Sequence, residues 1–319
     1  MIAGTLPNAS TISPAKAYFF EKRGKANLQK PEKWIMMPSM EYATLKGGIS
    51  MPLLGYGVFQ VLPSECARCV TAALENGYRS IDTAQAYENE AGVGQAVSAS
   101  GIPREDLFIT TKVWVSNAGE KRAAASIDES LEKLRTDYID LLLIHQPYGD
   151  YYGTWRAMQA AKKAGKVRAI GVSNFHRDRY QDLIEFGGVV PAVNQMETHV
   201  FCQQTALQEQ MMRYGTTLMS WGPLAEGKND LFRNPVLMRI GAAHGKTAAQ
   251  VALRYLTQLG IVCIPKTTHA ERMRENIAIF DFELTDAEMA LVAALDGGKS
   301  LFCDHYDPGF IKYIADISE

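Results

Sequence analysis

Residues 138–147 read Tyr-Ile-Asp-Leu-Leu-Leu-Ile-His-Gln-Pro. After Asp140 the run is apolar without alternation until His145. A strand that is apolar on both faces is covered on both faces, as in a parallel sheet wrapped by helices. Similar short runs occupy 53–59, 78–82 and 107–113 upstream, and 167–172, 189–194, 216–220 and 261–265 downstream. Helical patterns fill the gaps. One starts near Ser64 and stops at Gly77, and others lie near 90–100 and 152–164. That at 119–134 sets Ala124, Ile127, Leu131 and Leu134 at helical spacing. Thr247-Ala-Ala-Gln250 and Thr285-Asp-Ala-Glu288 are capping-box sequences that open two more helices. Ahead of the first run, Lys46-Gly47-Gly48 separates 42–45 from 49–52 as a hairpin turn. Eight buried strands alternating with helices over roughly 250 residues predict an α/β fold, a (β/α)8 TIM barrel with an N-terminal hairpin cap and a C-terminal helix and tail. An open doubly wound sheet is disfavoured, because Gly55-Tyr-Gly57 after the first run lacks the third glycine of the dinucleotide fingerprint.

Composition narrows the function classes. The 319 residues are 47% hydrophobic and 21% charged, with a net charge of −2. That balance suits a globular protein with a large core and argues against a nucleic-acid binder, which needs a basic face. No apolar run reaches the roughly 18–20 residues of a membrane helix. The five cysteines are odd in number and scattered, which suits reduced thiols and a cytoplasmic protein. Cys66 and Cys69 form a C-x-x-C inside an Ala-rich helical pattern, which reads as helix packing. Residues 1–40 lack amphipathic period and a secretory apolar region and are expected to be a disordered extension; 41–319 form the barrel.

Polar residues gather where the apolar runs end. Asp82, Lys112, His145, Ser173, Asn174, Gln195, Trp221 and Lys266 all do so, and in a barrel these ends converge on one rim. Tyr87 follows Asp82 by five residues. A phenol becomes a useful acid when a cation lies close, and Lys112 can be that cation if Asp82 pairs with it. His145 could orient a substrate oxygen. Each residue has a plainer reading alone: helix cap, loop packing or core histidine. All of them at consecutive strand ends are harder to explain by structure. A second cluster, Lys266-Thr267 followed by Arg272, Glu275 and Asn276, offers a helix start and two cations for a phosphate. Glu275 and Asn276 lie on the face of Arg272 and could meet a purine amine. Trp221 could stack on a flat heterocycle, and Ser173, Asn174 and Gln195 could bind a carboxamide. No metal-ligand pattern stands out.

These stretches together resemble the aldo-keto reductases. Residues 77–90, running from Gly77 through Asp82 and Tyr87 to Glu90, are similar to the family's first signature. Thr111-Lys112-Val-Trp114, Leu143-Ile-His145-Gln-Pro147 and Gly171-Val-Ser-Asn-Phe175 resemble further motifs, and Ile264 through Asn276 resembles the third signature. The likeness spans about 40–310, and Gly298-Lys-Ser-Leu-Phe302 is closest to bacterial members of the 2,5-diketo-gluconate and methylglyoxal reductase type. The resemblance implies NADPH/NADP+ bound without a Rossmann fold. It implies Tyr87 as proton donor, Lys112 as the residue lowering its pKa, Asp82 as the lysine's partner and His145 as the group orienting the carbonyl. Ser173, Asn174 and Gln195 then match nicotinamide contacts, and Trp221 the stacking ring. Residues 221–227, Leu224 included, match a loop over the pyrophosphate. Lys266, Thr267 and Arg272 match 2′-phosphate contacts, Glu275 and Asn276 adenine contacts. Phe59, Trp114, His145 and the segment after Asp296 match the substrate pocket.

The expected partner is a small carbonyl compound, with no nucleic acid, no membrane and a monomeric chain. Two other classes compete: a barrel isomerase or aldolase using Lys112 as a Schiff base on phosphorylated sugars, and a reductase-like barrel serving as a binding or structural subunit.

Overall fold

The computed structural model describes residues 40–318. The expectation for 1–40 therefore lies, apart from Met40, outside the described residues. The chain opens with a hairpin, β1 (Tyr42–Leu45) and β2 (Ile49–Pro52), paired antiparallel. The barrel strands follow: β3 (Tyr56–Gly57), β4 (Ser80–Asp82), β5 (Phe108–Val113), β6 (Ile139–Ile144), β7 (Val167–Ser173), β8 (Val193–Glu197), β9 (Thr217–Trp221) and β10 (Val262–Cys263). They lie in sequence order and every pairing is parallel. The ring closes where the Gly55 N–H donates to the Cys263 carbonyl (2.8 Å) and the Cys263 N–H to that of Leu53 (2.8 Å). The chain thus forms the expected (β/α)8 barrel.

The uninterrupted apolar run in β6 is explained by its two faces. Leu141 and Leu143 fill the barrel interior with Phe108, Ala169, Val193, Met219 and Val262. Leu142 and Ile144 face the helices instead. Leu45, Met51 and Leu53 join the interior cluster, so the hairpin plugs the barrel at the end away from the strand C-termini. The helices are α1 (Pro63–Glu75), α2 (Glu90–Ala99), α3 (Glu120–Leu134), α4 (Tyr151–Lys163), α5 (Arg177–Phe186), α6 (Thr205–Tyr214), α7 (Pro235–His244), α8 (Ala248–Gln258), α9 (Ala270–Ile277), α10 (Asp286–Ala293) and α11 (Pro308–Asp316). Both capping boxes form, at Thr247 and Thr285. Cys66 and Cys69 are fully buried on the inner face of α1, and burial pushes the Cys66 thiol up to about 12.

Three boundaries differ from the sequence reading. The sixth strand is not 189–194 but begins at Val193, because Pro191 has no N–H for the ladder and its carbonyl instead accepts the Thr216 hydroxyl. The first and eighth strands shrink to two residues each, their flanks held by the closing hydrogen bonds. Helices α5, α6 and α7 have no counterpart in the sequence reading. Neither has α11, which starts with Asp307 as cap and Pro308 in the first turn. Among the described residues no helix is long and apolar enough to cross a membrane.

Asp140, the one polar residue inside the decisive run, is fully buried. It accepts from Arg104 (2.7 Å), Arg168 (2.6 Å) and the Ile109 N–H (2.9 Å), tying β5, β6 and β7 together at their N-terminal ends. Removing one side of a buried charge network typically costs about 3–5 kcal/mol. Asp140→Ala should therefore lower the urea denaturation midpoint by an amount equivalent, through the slope m, to about 3 kcal/mol, the lower end of that range, since Arg168 is partly solvated. A midpoint equal to that of the unaltered chain would show that the network carries no net stability.

Candidate active site

A parallel barrel places every strand C-terminus on one rim. Asp82 ends β4, Lys112 is the penultimate residue of β5, His145 follows β6 directly, Ser173 ends β7, and Trp221 ends β9. Gln195 sits inside β8 rather than at its end, a consequence of the later start of that strand. Tyr87 arrives by a single 3-10 turn, Gln85–Tyr87, which Glu88 stops in the left-handed region at φ 56°. The side-chain amide of Asn89 donates to the carbonyls of Val58 and Val61 (3.0 Å each), fixing the loop that carries Phe59. Phe59 then lies against Tyr87, with ring centroids 5.0 Å apart.

At the base of the rim Lys112 is completely buried. Its Nζ donates to Asp82 Oδ1 (2.5 Å) and to the Thr83 carbonyl (2.9 Å), and it stands 3.4 Å from the Tyr87 hydroxyl. The other carboxylate oxygen of Asp82 accepts from Gln195 Nε2 (2.8 Å). Burial alone would lower the lysine's pKa, but Asp82 and Tyr87 together hold it above its ordinary value, so the amine is charged. Burial raises the Tyr87 phenol above its usual 10.0, and the Lys112 charge pulls it back part of the way. The hydroxyl thus keeps its proton at neutral pH, with a cation beside it that would favour the phenolate. His145 packs edge-on to both Tyr87 (5.5 Å) and Trp114 (5.0 Å). Burial, helped by the Lys112 charge, keeps its imidazole well below 6.5 and hence neutral.

The remaining rim residues interlock. The Ser173 hydroxyl donates to the Gln195 carbonyl (3.0 Å), the Asn174 amide to the His145 carbonyl (3.2 Å), and Trp221 Nε1 to Asn174 Oδ1 (2.9 Å). Asn174 adopts φ 63°, a conformation that asparagine tolerates better than most residues. All four line a cavity of about 1080 Å3, which also takes in Asp82, Tyr87, Trp114, His145 and Phe59. At its far end the cavity passes Leu224 and reaches Lys266 and Arg272. Among the described residues neither cation is paired with a carboxylate. Thr267, Glu275 and Asn276 are not on the wall. The Thr267 carbonyl accepts from Tyr56 (2.7 Å) and Glu275 accepts from Thr247 (2.6 Å), while Asn276 is buried in α9.

The family model of the aldo/keto reductases matches residues 54–296. The chain belongs to the aldo-keto reductase family. It is 45% identical over 264 residues to a glyoxal reductase of Bacillus subtilis, covering 82% of this chain and 95% of that one. It is 43% identical over 260 residues to the methylglyoxal reductase DkgA of Salmonella typhimurium, covering 81% and 94%. Among solved structures, a mutant of Gox0644 in complex with NADPH superposes with a TM-score of 0.78 at 35% identity, covering 82% of this chain and 96% of that one. As a member of this family the chain is an NAD(P)-dependent oxidoreductase.

Gln85, Glu197 and Lys228 of this aldo-keto reductase's site escaped the sequence reading, whereas the segment after Asp296 was expected at the substrate pocket. Gln85, lying unremarked between Asp82 and Tyr87, accepts from the backbone N–H of Trp114 (2.9 Å) and donates to Ser130 Oγ (3.1 Å), fixing the backbone that carries the indole. The tail supplies Phe302, Cys303 and His305 to the cavity wall, and α11 supplies Phe310, Tyr313 and Ile314. Glu197 fastens that tail by accepting from the Ser300 hydroxyl and the Leu301 N–H (2.7 Å). Burial would raise its carboxyl, but His199, Ser300 and Leu301 hold it below the ordinary range. Lys228, from the loop after β9, donates to the Leu301 carbonyl (2.7 Å) and sits 3.9 Å above the Phe302 ring. The contacts of Glu197 and Lys228 to the tail have no local sequence signature, because they join residues 73 to 104 positions apart.

Burial depresses His145, His176 and His305, the last to about 4. The unfolded chain binds protons on these rings near pH 6.5, whereas the folded chain resists until lower pH, His305 until about 4. The stability they contribute is complete above about pH 6.5 and is lost as pH falls toward about 4. The urea midpoint should therefore drop between about pH 7.5 and 5.5, before carboxylates protonate. His305→Gln should make that drop smaller, and an identical drop would contradict the assignment.

Proposed function

We propose that this chain reduces small aldehydes and ketones, including 2-oxoaldehydes and keto-sugars, to alcohols with NADPH, Tyr87 giving the proton. One observation supports this reading above the rest: a buried, charged Lys112 held by Asp82 stands 3.4 Å from a protonated phenol at the floor of a large cavity.

The residues present fit the cofactor. A pocket for a single small ligand holds about 300–1000 Å3, and this one is larger, with polar groups at both ends. Ser173, Asn174 and Gln195 would meet a carboxamide near the floor, Trp221 would offer its face to the nicotinamide ring, and Leu224 lies on the loop beside the pyrophosphate. Lys266 and Arg272 would take the 2′-phosphate, with Thr267, Glu275 and Asn276 next to them in the chain as further contacts toward the adenosine end. When bound, the reduced nicotinamide supplies the hydride.

The chain's own residues supply the rest. Neutral His145 donates its ring N–H to the substrate oxygen and orients the carbonyl. The Tyr87 hydroxyl passes its proton to the developing alkoxide, and the Lys112 charge stabilises the phenolate that remains. Asp82 keeps Lys112 charged and aimed, and Gln195 keeps Asp82 aimed. Phe59 and Trp114 flank the substrate and thin the water around the reacting oxygen. A Schiff-base role for Lys112 is disfavoured, because that chemistry needs a neutral free amine and this one is charged and committed to Asp82 and Thr83. The protein acts as a monomer in the cytoplasm, a placement supported by five free cysteines with no disulfide among the described residues.

NADPH consumption with a panel of carbonyls tests the reading. Tyr87→Phe should lower kcat by about 10²–10⁴-fold, the usual worth of a positioned proton donor, with NADPH affinity unchanged. A variant that keeps full kcat would remove Tyr87 from the mechanism. Lys266→Ala or Arg272→Ala should weaken NADPH by about 1.5–3 kcal/mol, the worth of one charge-assisted hydrogen bond, and leave NADH alone. Equal weakening of both dinucleotides would refute the phosphate assignment.

A further inference from the structure

The phenol of Tyr87 and the indole of Trp114 come from different loops, and one half-buried side chain joins those loops. Gln85 opens the 3-10 turn that ends in Tyr87. Its Oε1 accepts from the backbone N–H of Trp114 (2.9 Å) and from Asn117 Nδ2 (2.9 Å). Its Nε2 donates to the Ser126 carbonyl (3.2 Å) and to Ser130 Oγ (3.1 Å). A side-chain amide has two N–H donors and an oxygen with two lone pairs, so all four positions are taken. Gln85 lies on the cavity wall, yet its amide has no capacity left for a substrate. It can hold other groups in place but cannot bind a ligand as well.

The groups it holds are those that regular structure does not. The β4–β5 ladder ends where the Thr83 N–H donates to the Thr110 carbonyl, and the β5–β6 ladder where the His145 N–H donates to that of Val113. The Trp114 N–H lies beyond both and takes the Gln85 side-chain oxygen in place of a strand. Ser126 and Ser130 are buried, four residues apart on one face of α3, so the amide is moored to a packed helix. Within the turn the Tyr87 N–H donates to the Ala84 carbonyl (3.1 Å), so a shift of Gln85 carries Tyr87 with it. The Trp114 ring lies 5.0 Å from that of His145, which lies 5.5 Å from that of Tyr87. These three rings form an arc, and Gln85 ties down the backbone at both of its ends.

We propose that Gln85 is a positioning residue for carbonyl reduction, holding the Tyr87 turn and the Trp114 backbone to α3 as one frame. It thereby sets the gap that the Tyr87 proton crosses to a substrate oxygen lying against Trp114 and His145. Misplacing a reacting group by about 1 Å can cost about 10²-fold in rate, so a side chain that touches no reacting atom still governs turnover. This assignment rests on the carbonyl-reductase reading above and deepens it.

Gln85→Met tests it, because it keeps the length and removes both donor and acceptor. NADPH titration counts the competent sites, and kcat with methylglyoxal is expressed per site. The Met variant should lose roughly 10–100-fold in kcat per site, with NADPH affinity unchanged. The solvent deuterium isotope effect on kcat should rise, since proton transfer from a displaced phenol becomes slower. Gln85→Glu keeps the acceptor for Trp114 and Asn117 and should recover most of the loss; it also serves if the Met variant melts too early to assay. A kcat per site and an isotope effect unmoved in both variants would overturn the proposal. So would a loss confined to melting temperature or to the number of sites, which would leave Gln85 a stability residue only, or a Glu variant as slow as the Met variant. An unaltered enzyme that consumes no NADPH with methylglyoxal or any other carbonyl of the panel would overturn the reductase reading and this proposal with it, which keeps the two failures apart.

Discussion

The site depends on keeping one ammonium charged where water does not reach. Lys112 has no exposed surface, and an unpaired charge at that depth would give up its proton rather than stay ionised. Asp82 prevents this, and Gln195 and the Thr83 carbonyl complete the bonding. The four groups come from β4, the loop after it, β5 and β8. Their arrangement survives only if the barrel holds those strand ends in register. Stability and function are therefore linked here: the fold carries a costly buried pair, and the pair gives Tyr87 a cation that shifts the balance between phenol and phenolate.

The barrel meets that cost by being apolar elsewhere. The interior is filled by Leu141, Leu143, Val193 and Met219 up to the level of Lys112, and the hairpin closes the other end. At the rim Ser173 meets Gln195 and Asn174 meets His145 from neighbouring strands, and Trp221 reaches across β8 to Asn174. Such a network holds its members within narrow limits, which is what the proton-donor role proposed for Tyr87 and the orienting role proposed for His145 would require.

The outer part of the cavity is held differently. The loop after β9 contains Ala225, Glu226, Asn229 and Asp230 at positive φ, unfavourable for side-chain-bearing residues. Lys228 in the same loop bonds the tail at Leu301 and covers Phe302, while Glu197 anchors the tail to β8. The loop after β9 and the tail are thereby joined to each other, and both are tied to the barrel, the loop through buried Ala225 and Leu231 and the tail through Glu197, Tyr148 and Asp178.

How far the sequence determined the protein follows from the range of its signals. The unbroken apolar run of β6, the glycine stops and the two capping boxes act within a few residues, and they specified the barrel and the helices they mark. The polar residues at strand ends were legible for the same reason, since each ends a local pattern. Strand β8 was misplaced by a few residues because Pro191 looks apolar but cannot join a ladder. Gln85, Glu197 and Lys228 carried no local signal, because their roles arise only where distant segments meet. Period and chain chemistry are local properties that sequence alone determines. Which polar group finds a partner depends on every neighbour packed around it, and only the tertiary structure decides that.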